Sequence, residues 1–408
     1  MFRVLVADKL PESSLSRLQS MGCDVDFEPS LKGEALTEAL ARVSPEVLIV
    51  RSTKVTKADL IASGSLSLVL RAGAGVNTID LAAASACGVY VSNCPGKNAA
   101  AVAELAWAHI LNADRRVADG VADLRAGQWK KKVYAKDTQG IKGRTLGIVG
   151  FGSIGQEVAQ RASAFDMEIL AFDPALDIAV AAALGVEAVD SVELLASRSD
   201  VLTVHVGLNE HTRGMINAAV LNALPAGSIF VNTSRGPIVD ESALIKVVKE
   251  KGVRAGLDVF CDEPAADGEW STDLASLPGV YGTHHIGAST VEAQEAVAME
   301  ACRVVEVYGQ SGTPPNCVNL AKQTPATHLL ILRHRDEVGV LSNVLALLKE
   351  AHINVQNMEN TVFSAPVEGA CAACARIQVV GPPHAELMAA MSARETIFDV
   401  KLLPLEAK

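Results

Sequence analysis

Apolar and polar positions follow two rhythms along the chain. Short runs of mostly apolar residues at 2–7, 46–51, 66–71 and 89–92 predict strands buried on both faces. Between them, stretches such as 11–21 and 79–87 repeat their apolar residues at helical spacing. Strands alternating with helices predict a parallel sheet with helices on both faces. A second series of the same kind begins at Thr145, with strands ending near Val149, Phe172, Val206, Asn232, Asp258 and Gly282. Between the two series, residues 98 to about 126 read as one long Ala-rich helix. Its start, AAAVAELAWAHIL, is apolar nearly all round, which requires burial in its own chain or against a second copy.

From about Ala288, EAQEAVAMEACRVVEVYG reads as a further helix. The segment GTPPNCVNLAKQTPAT, from Gly312, is rich in Pro, Asn and Thr and predicts a linker. After it come a strand (328–333), a helix (339–352), two strands (353–363 and 371–380), a helix (385–393) and a strand (397–403). That order is βαββαβ, the ferredoxin-like arrangement. The expected fold class is therefore α/β, with two doubly wound, Rossmann-like parallel sheets and a small C-terminal ferredoxin-like unit.

Composition narrows the function. No apolar run reaches the ~18 residues that span a membrane, and MFRVLVADKL reads as a strand rather than a signal peptide. A cytoplasmic location is the expectation. The net charge of -11 argues against nucleic acid or an anionic membrane as partner. It also means that any phosphate must be captured by locally placed Arg and Lys. The eight cysteines are scattered through apolar runs and read as small buried hydrophobes. Cys371 and Cys374 form a lone CxxC without a second ligand pair, so no metal site is expected.

The strongest motif is VGFGSIG, in which Gly150, Gly152 and Gly155 fit G-x-G-x-x-G between a predicted strand and a predicted helix. The first glycine permits the tight turn. The second lets the backbone approach a pyrophosphate, with the Ser153 and Ile154 amides at the helix N-terminus. The third allows close helix–strand packing. The next strand, EILAFD, ends in Asp173, placed to hydrogen-bond a ribose 2′-hydroxyl and repel a 2′-phosphate. NAD is thus expected rather than NADP.

Oxidising an alcohol by hydride transfer needs a base for the hydroxyl proton and a cation for a neighbouring carboxylate. In an open α/β sheet these groups lie beyond the carboxyl ends of strands. SIFVNTSRG ends there with Arg235, AGLDVFCDEP supplies Asp258 and Glu263, and GVYGTHHIGAST supplies His284 and His285. His285 suits an acid–base role, Glu263 could orient it, and Arg235 can grip a carboxylate. Taken singly, a loop Arg is as readily a surface ion pair and a lone His a structural residue.

The runs VGFGSIG, NTSRG, DVFCDEP and HHIGAST, in this order and spacing, resemble the fingerprints of the D-isomer-specific 2-hydroxyacid dehydrogenases across residues 1–320. The resemblance implies Arg235, Glu263 and His285 as the catalytic set. It extends the cofactor-facing set to Val206, Thr233, Ser234 and Asp258. It implies a discontinuous substrate domain, 1–97 with 287–320, around an NAD domain at 98–286, and a homodimer or homotetramer joined through the long helix. VRSTKVT, RAGAGVNTID and GASTVEAQ are similar to family members acting on 3-phospho-D-glycerate. By that similarity Arg51 and Arg71 bind the substrate phosphate. Lys130, Lys131 and Lys132 either add charge to the pocket or form a solvated face. Reduction of glyoxylate, hydroxypyruvate or another 2-oxo acid stays open, as does a low-turnover NAD-sensing protein. The chain departs from the family at His284 and Gly207, where relatives have Pro.

Residues 326–408 resemble an ACT domain, a small amino-acid-binding regulatory fold that in bacterial relatives binds serine at a dimer interface. The matching residues are His334, Asp336 and Asn354, with Asp336 and Val338 standing where those relatives have Asn and Pro. Regulation by an amino-acid effector and a purely structural assembly role are both open. The loop SAPVEGACAAC is longer than in those relatives.

Overall fold

The computed structural model describes residues 2–136, 138–264, 267–364 and 371–405. Residues 365–370, most of the SAPVEGACAAC loop, lie outside the described residues. The chain forms two compact units, Met1–Asn319 and Leu320–Lys408.

The first unit holds two parallel sheets. One contains β1 (Arg3–Val6), β2 (Asp24–Phe27), β3 (Val47–Val50), β4 (Leu68–Arg71) and β5 (Tyr90–Ser92), in the order β2-β1-β3-β4-β5. The other contains β6 (Thr145–Val149), β7 (Glu168–Phe172), β8 (Val186–Ala188), β9 (Val201–Val204), β10 (Ile229–Asn232), β11 (Arg254–Leu257) and β12 (Val280–Gly282). Its order is β12-β11-β10-β9-β6-β7-β8. The inner strands are buried over most of their length, and VLIV of β3 over all of it, because helices cover both faces. The first sheet is closed on one side by the Val291–Ser311 helix, whose Val297, Ala301, Val304 and Val305 pack on Val4, Val6 and Leu68.

The long helix of the sequence is two helices, a correction to the expectation above. Ala99–Arg115 and Val117–Arg125 meet at Arg116, whose backbone is left-handed (φ 54°). That conformation ends a helix as a glycine would, and no Gly or Pro in the sequence announces it. The linker is also shorter than its composition suggests. Asn319 and Val318 hydrogen-bond the β5 backbone, so this stretch is stitched to the sheet as far as Asn319.

The second unit is an antiparallel sheet of β13 (His328–Arg335), β14 (Val355–Val362), β15 (Ala372–Val379) and β16 (Ile397–Pro404), ordered β14-β15-β13-β16. The Val340–Glu350 and Ala385–Ser392 helices bury Val344, Leu348, Leu387 and Met391 against Leu330, Leu332, Ala375 and Ile377. The order of elements is βαββαβ.

Candidate active site

The carboxyl ends of the two parallel sheets line one cleft of about 380 Å³. Arg71 and the loop after β4 line it from one side, and Ile154, Val206, Thr233, Ser234, Arg235, Asp258 and His285 from the other.

The nucleotide motif is built as its glycines require. Gly150 has φ 91°, and a Cβ on it would lie 2.7 Å from the His205 carbonyl. A Cβ on Gly155 would lie 2.2 Å from the Gly150 carbonyl, so the helix can approach the strand only because none is present. Gly152 is the N-cap of the Ser153–Ala164 helix and offers no side chain to its first amides. Those amides and the helix dipole are left for an anion. The Asp173 carboxylate accepts the amides of Phe151 and Ala175, both at 2.8 Å, so it also pins the glycine turn. Two buried polar atoms on the cleft wall, Thr233 Oγ1 and His205 Nδ1, have no hydrogen-bond partner among the described residues. A bare helix N-terminus flanked by unpaired donors and acceptors fits a dinucleotide. His205 was not singled out from the sequence, although it precedes Val206. Burial pushes it down to about 3, so it is neutral at working pH.

The reacting end has a base and cations. His285 Nδ1 lies 2.7 Å from Glu263 Oε2, which leaves Nε2 for a substrate. Glu263 Oε1 accepts the Phe260 amide at 2.8 Å. Burial pushes Glu263 up, but its hydrogen bonds from His285 and Phe260, with Arg235 nearby, outweigh that and hold it below the usual carboxylate range. Of the two adjacent imidazoles, His285 lines the cleft and His284 does not, while both border a neighbouring cavity lined also by Glu263 and Trp270. His285 is left-handed (φ 54°). The Asp258 carboxylate is buried and is engaged by Thr283 and by the Ile286 and Gly287 amides.

Arg71 is pushed down to about 10 by burial and by the neighbouring Arg235 and Arg51 guanidinium groups. Its Nε donates to the Arg51 carbonyl at 2.9 Å. Among the described residues, none of the three arginines has a carboxylate within 4.0 Å. The lysine run lies elsewhere. Lys130 pairs with Asp123 at 2.8 Å, and none of Lys130, Lys131 and Lys132 lines the cleft.

In the C-terminal unit, His334 is buried, with Nδ1 2.7 Å from the Arg335 carbonyl and Nε2 3.1 Å from the Asn360 side chain. Asp336 follows β13 at the same end, its amide bonded to the Cys371 carbonyl. Asn354 precedes β14 at the other end, its carbonyl accepting the Val380 amide. The eight-residue strand β15 runs between these ends, so Asn354 is ~20 Å from the other two at ~3.3 Å per residue. Within one chain the three do not meet.

Residues 107–287 match the family of the D-isomer specific 2-hydroxyacid dehydrogenase, NAD binding domain. The D-3-phosphoglycerate dehydrogenase of Methanocaldococcus jannaschii is 38% identical over 324 residues, covering 78% of this chain and 60% of the relative. The chain thus spans about three fifths of that protein's length. The hydroxypyruvate reductase of Thermotoga maritima is 42% identical over 304 residues, covering 73% of this chain and 95% of the relative. Among solved structures, an NAD+-bound 3-phosphoglycerate dehydrogenase of Entamoeba histolytica superposes with a TM-score of 0.65 at 25% identity, covering 78% of this chain and 99% of that one. Motif order, cleft geometry and these matches agree, and the chain belongs to the D-isomer specific 2-hydroxyacid dehydrogenases.

Proposed function

We propose that the chain oxidises 3-phospho-D-glycerate to 3-phosphohydroxypyruvate with NAD, the first step of serine biosynthesis. The observation that carries this reading is the cluster of Arg51, Arg71 and Arg235, half-buried side by side without a carboxylate partner among the described residues. Like charges brought together out of water are costly unless an anion holds them, and a substrate with a carboxylate and a phosphate supplies two. Arg235 holds the carboxylate, and Arg71 with Arg51 holds the phosphate. The His285 imidazole takes the hydroxyl proton at Nε2 while Glu263 accepts its Nδ1–H and stabilises the imidazolium. Gly150–Gly155 and Asp173 would hold NAD, which would supply the hydride acceptor. Thr233, Ser234, Val206 and His205 would line its site.

The Thermotoga relative favours a second reading, reduction of hydroxypyruvate or a similar 2-oxo acid. Turnover with NAD separates the two: kcat/KM for 3-phospho-D-glycerate should exceed that for D-glycerate by at least tenfold. A ratio near one removes the phosphoglycerate reading and leaves the 2-oxo acid one. We further propose the C-terminal unit as an ACT-type effector module. Since His334 and Asp336 lie far from Asn354, an effector touching all three would sit between two copies.

A further inference from the structure

The Ala99–Arg115 helix buries an imidazole that the proposed chemistry does not use. His109 is 4% exposed and lies against β11 at Gly256, where a Cβ would come within 2.5 Å of the His109 Cβ. The strand makes room for this ring. His109 Nε2 is 3.0 Å from Thr283 Oγ1, and the Thr283 hydroxyl is 2.6 Å from Asp258 Oδ1. A hydroxyl has one proton, and an ionised carboxylate only accepts. The Thr283 proton is therefore committed to Asp258, and His109 must donate from Nε2. Asp258 in turn accepts the Ile286 and Gly287 amides, both at 2.8 Å, and its carbonyl accepts the His285 amide at 2.9 Å. The backbone around His285, including its left-handed turn, thus hangs on a carboxylate whose orientation is fixed through Thr283 by His109, 174 positions before that threonine.

We propose that His109 is a positioning residue for the reaction, orienting Thr283 and Asp258 so that the turn presents His285 to Glu263 and substrate. Burial holds His109 below the ordinary imidazole range, with Asp258 opposing, so the ring is a fixed neutral donor rather than a second base. The inference rests on His285 being the acid–base group.

The test compares His109→Leu, which keeps bulk and removes the donor, with His109→Gln, whose amide N–H replaces it. Both are made in the full chain and assayed with NAD and 3-phospho-D-glycerate. His109→Leu should lower kcat about fivefold, the scale of one lost hydrogen bond, with KM for NAD within about twofold. His109→Gln should recover most of kcat. Thr283→Val should lower kcat similarly and add little on top of His109→Leu, as expected for one linked path. An unchanged kcat in the Leu variant, no recovery with Gln, or additive losses with Thr283→Val would each overturn the proposal. If the Leu variant does not fold, a near-normal Gln variant beside an impaired Thr283→Val supports the path, and two equally impaired variants refute it. Unchanged turnover in His285→Ala would instead remove the reading of His285 itself.

Discussion

Two groups of arginines sit at opposite ends of the parallel sheets, and they differ in what faces them. At the amino ends, buried Arg144 lies 3.3 Å from Asp114 and donates to the Asp200 carbonyl, and Arg254 donates to the Ala113 and Asp114 carbonyls at the end of a helix. At the carboxyl ends, the Arg71 guanidinium faces those of Arg51 and Arg235, and the acid beside Arg51 on the first sheet is already engaged. That acid, Asp8, gives its carboxylate to the amides of Arg51, Ser52 and Thr53 at 2.6–3.0 Å. The residue type is the same at both ends. Pairing distinguishes an arginine that holds the fold from one kept for a ligand.

Four substitutions would break or sharpen this contrast. Asp114→Ala should have the largest effect, since it removes the nearest carboxylate from buried Arg144 and leaves the Asp200 carboxylate at 4.0 Å beside two carbonyl acceptors. A loss of ~2–3 kcal/mol in denaturant unfolding is expected, with the ratio of kcat/KM between 3-phospho-D-glycerate and D-glycerate unmoved. Arg71→Ala should do the reverse. It should lower kcat/KM for the phosphorylated substrate roughly 10- to 150-fold, the range for one charge-assisted contact, and spare D-glycerate and the unfolding midpoint. If stability falls and the ratio holds, the two clusters are alike and the contrast fails.

Asp173→Ala should narrow the preference for NAD over NADP about tenfold, as it removes a ribose acceptor and the repulsion of a 2′-phosphate. Equal use of both cofactors by the unmutated protein would contradict the assignment. The smallest effect belongs to Asp8. Burial pushes this carboxyl up, but the amides of Arg51, Thr53 and Ser52 outweigh it and hold it below the usual value. A depressed folded value means that its stabilisation is complete above the unfolded value, ~3.9, and is lost as pH falls through the lower folded one. Asp8→Asn should therefore cost about 1 kcal/mol at a constant level from pH 5 to 8. The gap to the unmutated protein should close below about pH 4. A gap that instead widens on acidification would show that Asp8 is not the ionised anchor of the Arg51 loop.

Much of this was legible in the sequence because the demands were local. VLIV of β3 is buried on both faces and reads as a continuous apolar run, and the spacing of Gly150, Gly152 and Gly155 follows from one turn and one helix start. Two of the edge strands were not legible. DVDF of β2 and VEA of β8 are short and partly exposed, so they carry little apolar signal. The helix break at Arg116 uses no breaker residue. The link from His109 to Thr283 joins distant parts of the chain, and an Ala-rich helical pattern gives no sign that one of its side chains meets a hydroxyl bonded to a carboxylate. The sequence ranks His285 above His284 only through its place directly before IGAST, whereas the contact of one ring with Glu263 is a property of the folded turn.

That turn has a consequence for which residues position 285 accepts. Left-handed backbone is tolerated by Gly and Asn, and among other side chains His visits it more readily than most. Alanine at 285 therefore removes the imidazole and also disfavours the local conformation, so its kinetic deficit mixes two losses. Asparagine would keep the turn and delete only the ring. The difference between the two variants would measure how much of catalysis resides in the backbone of this loop rather than in its side chain.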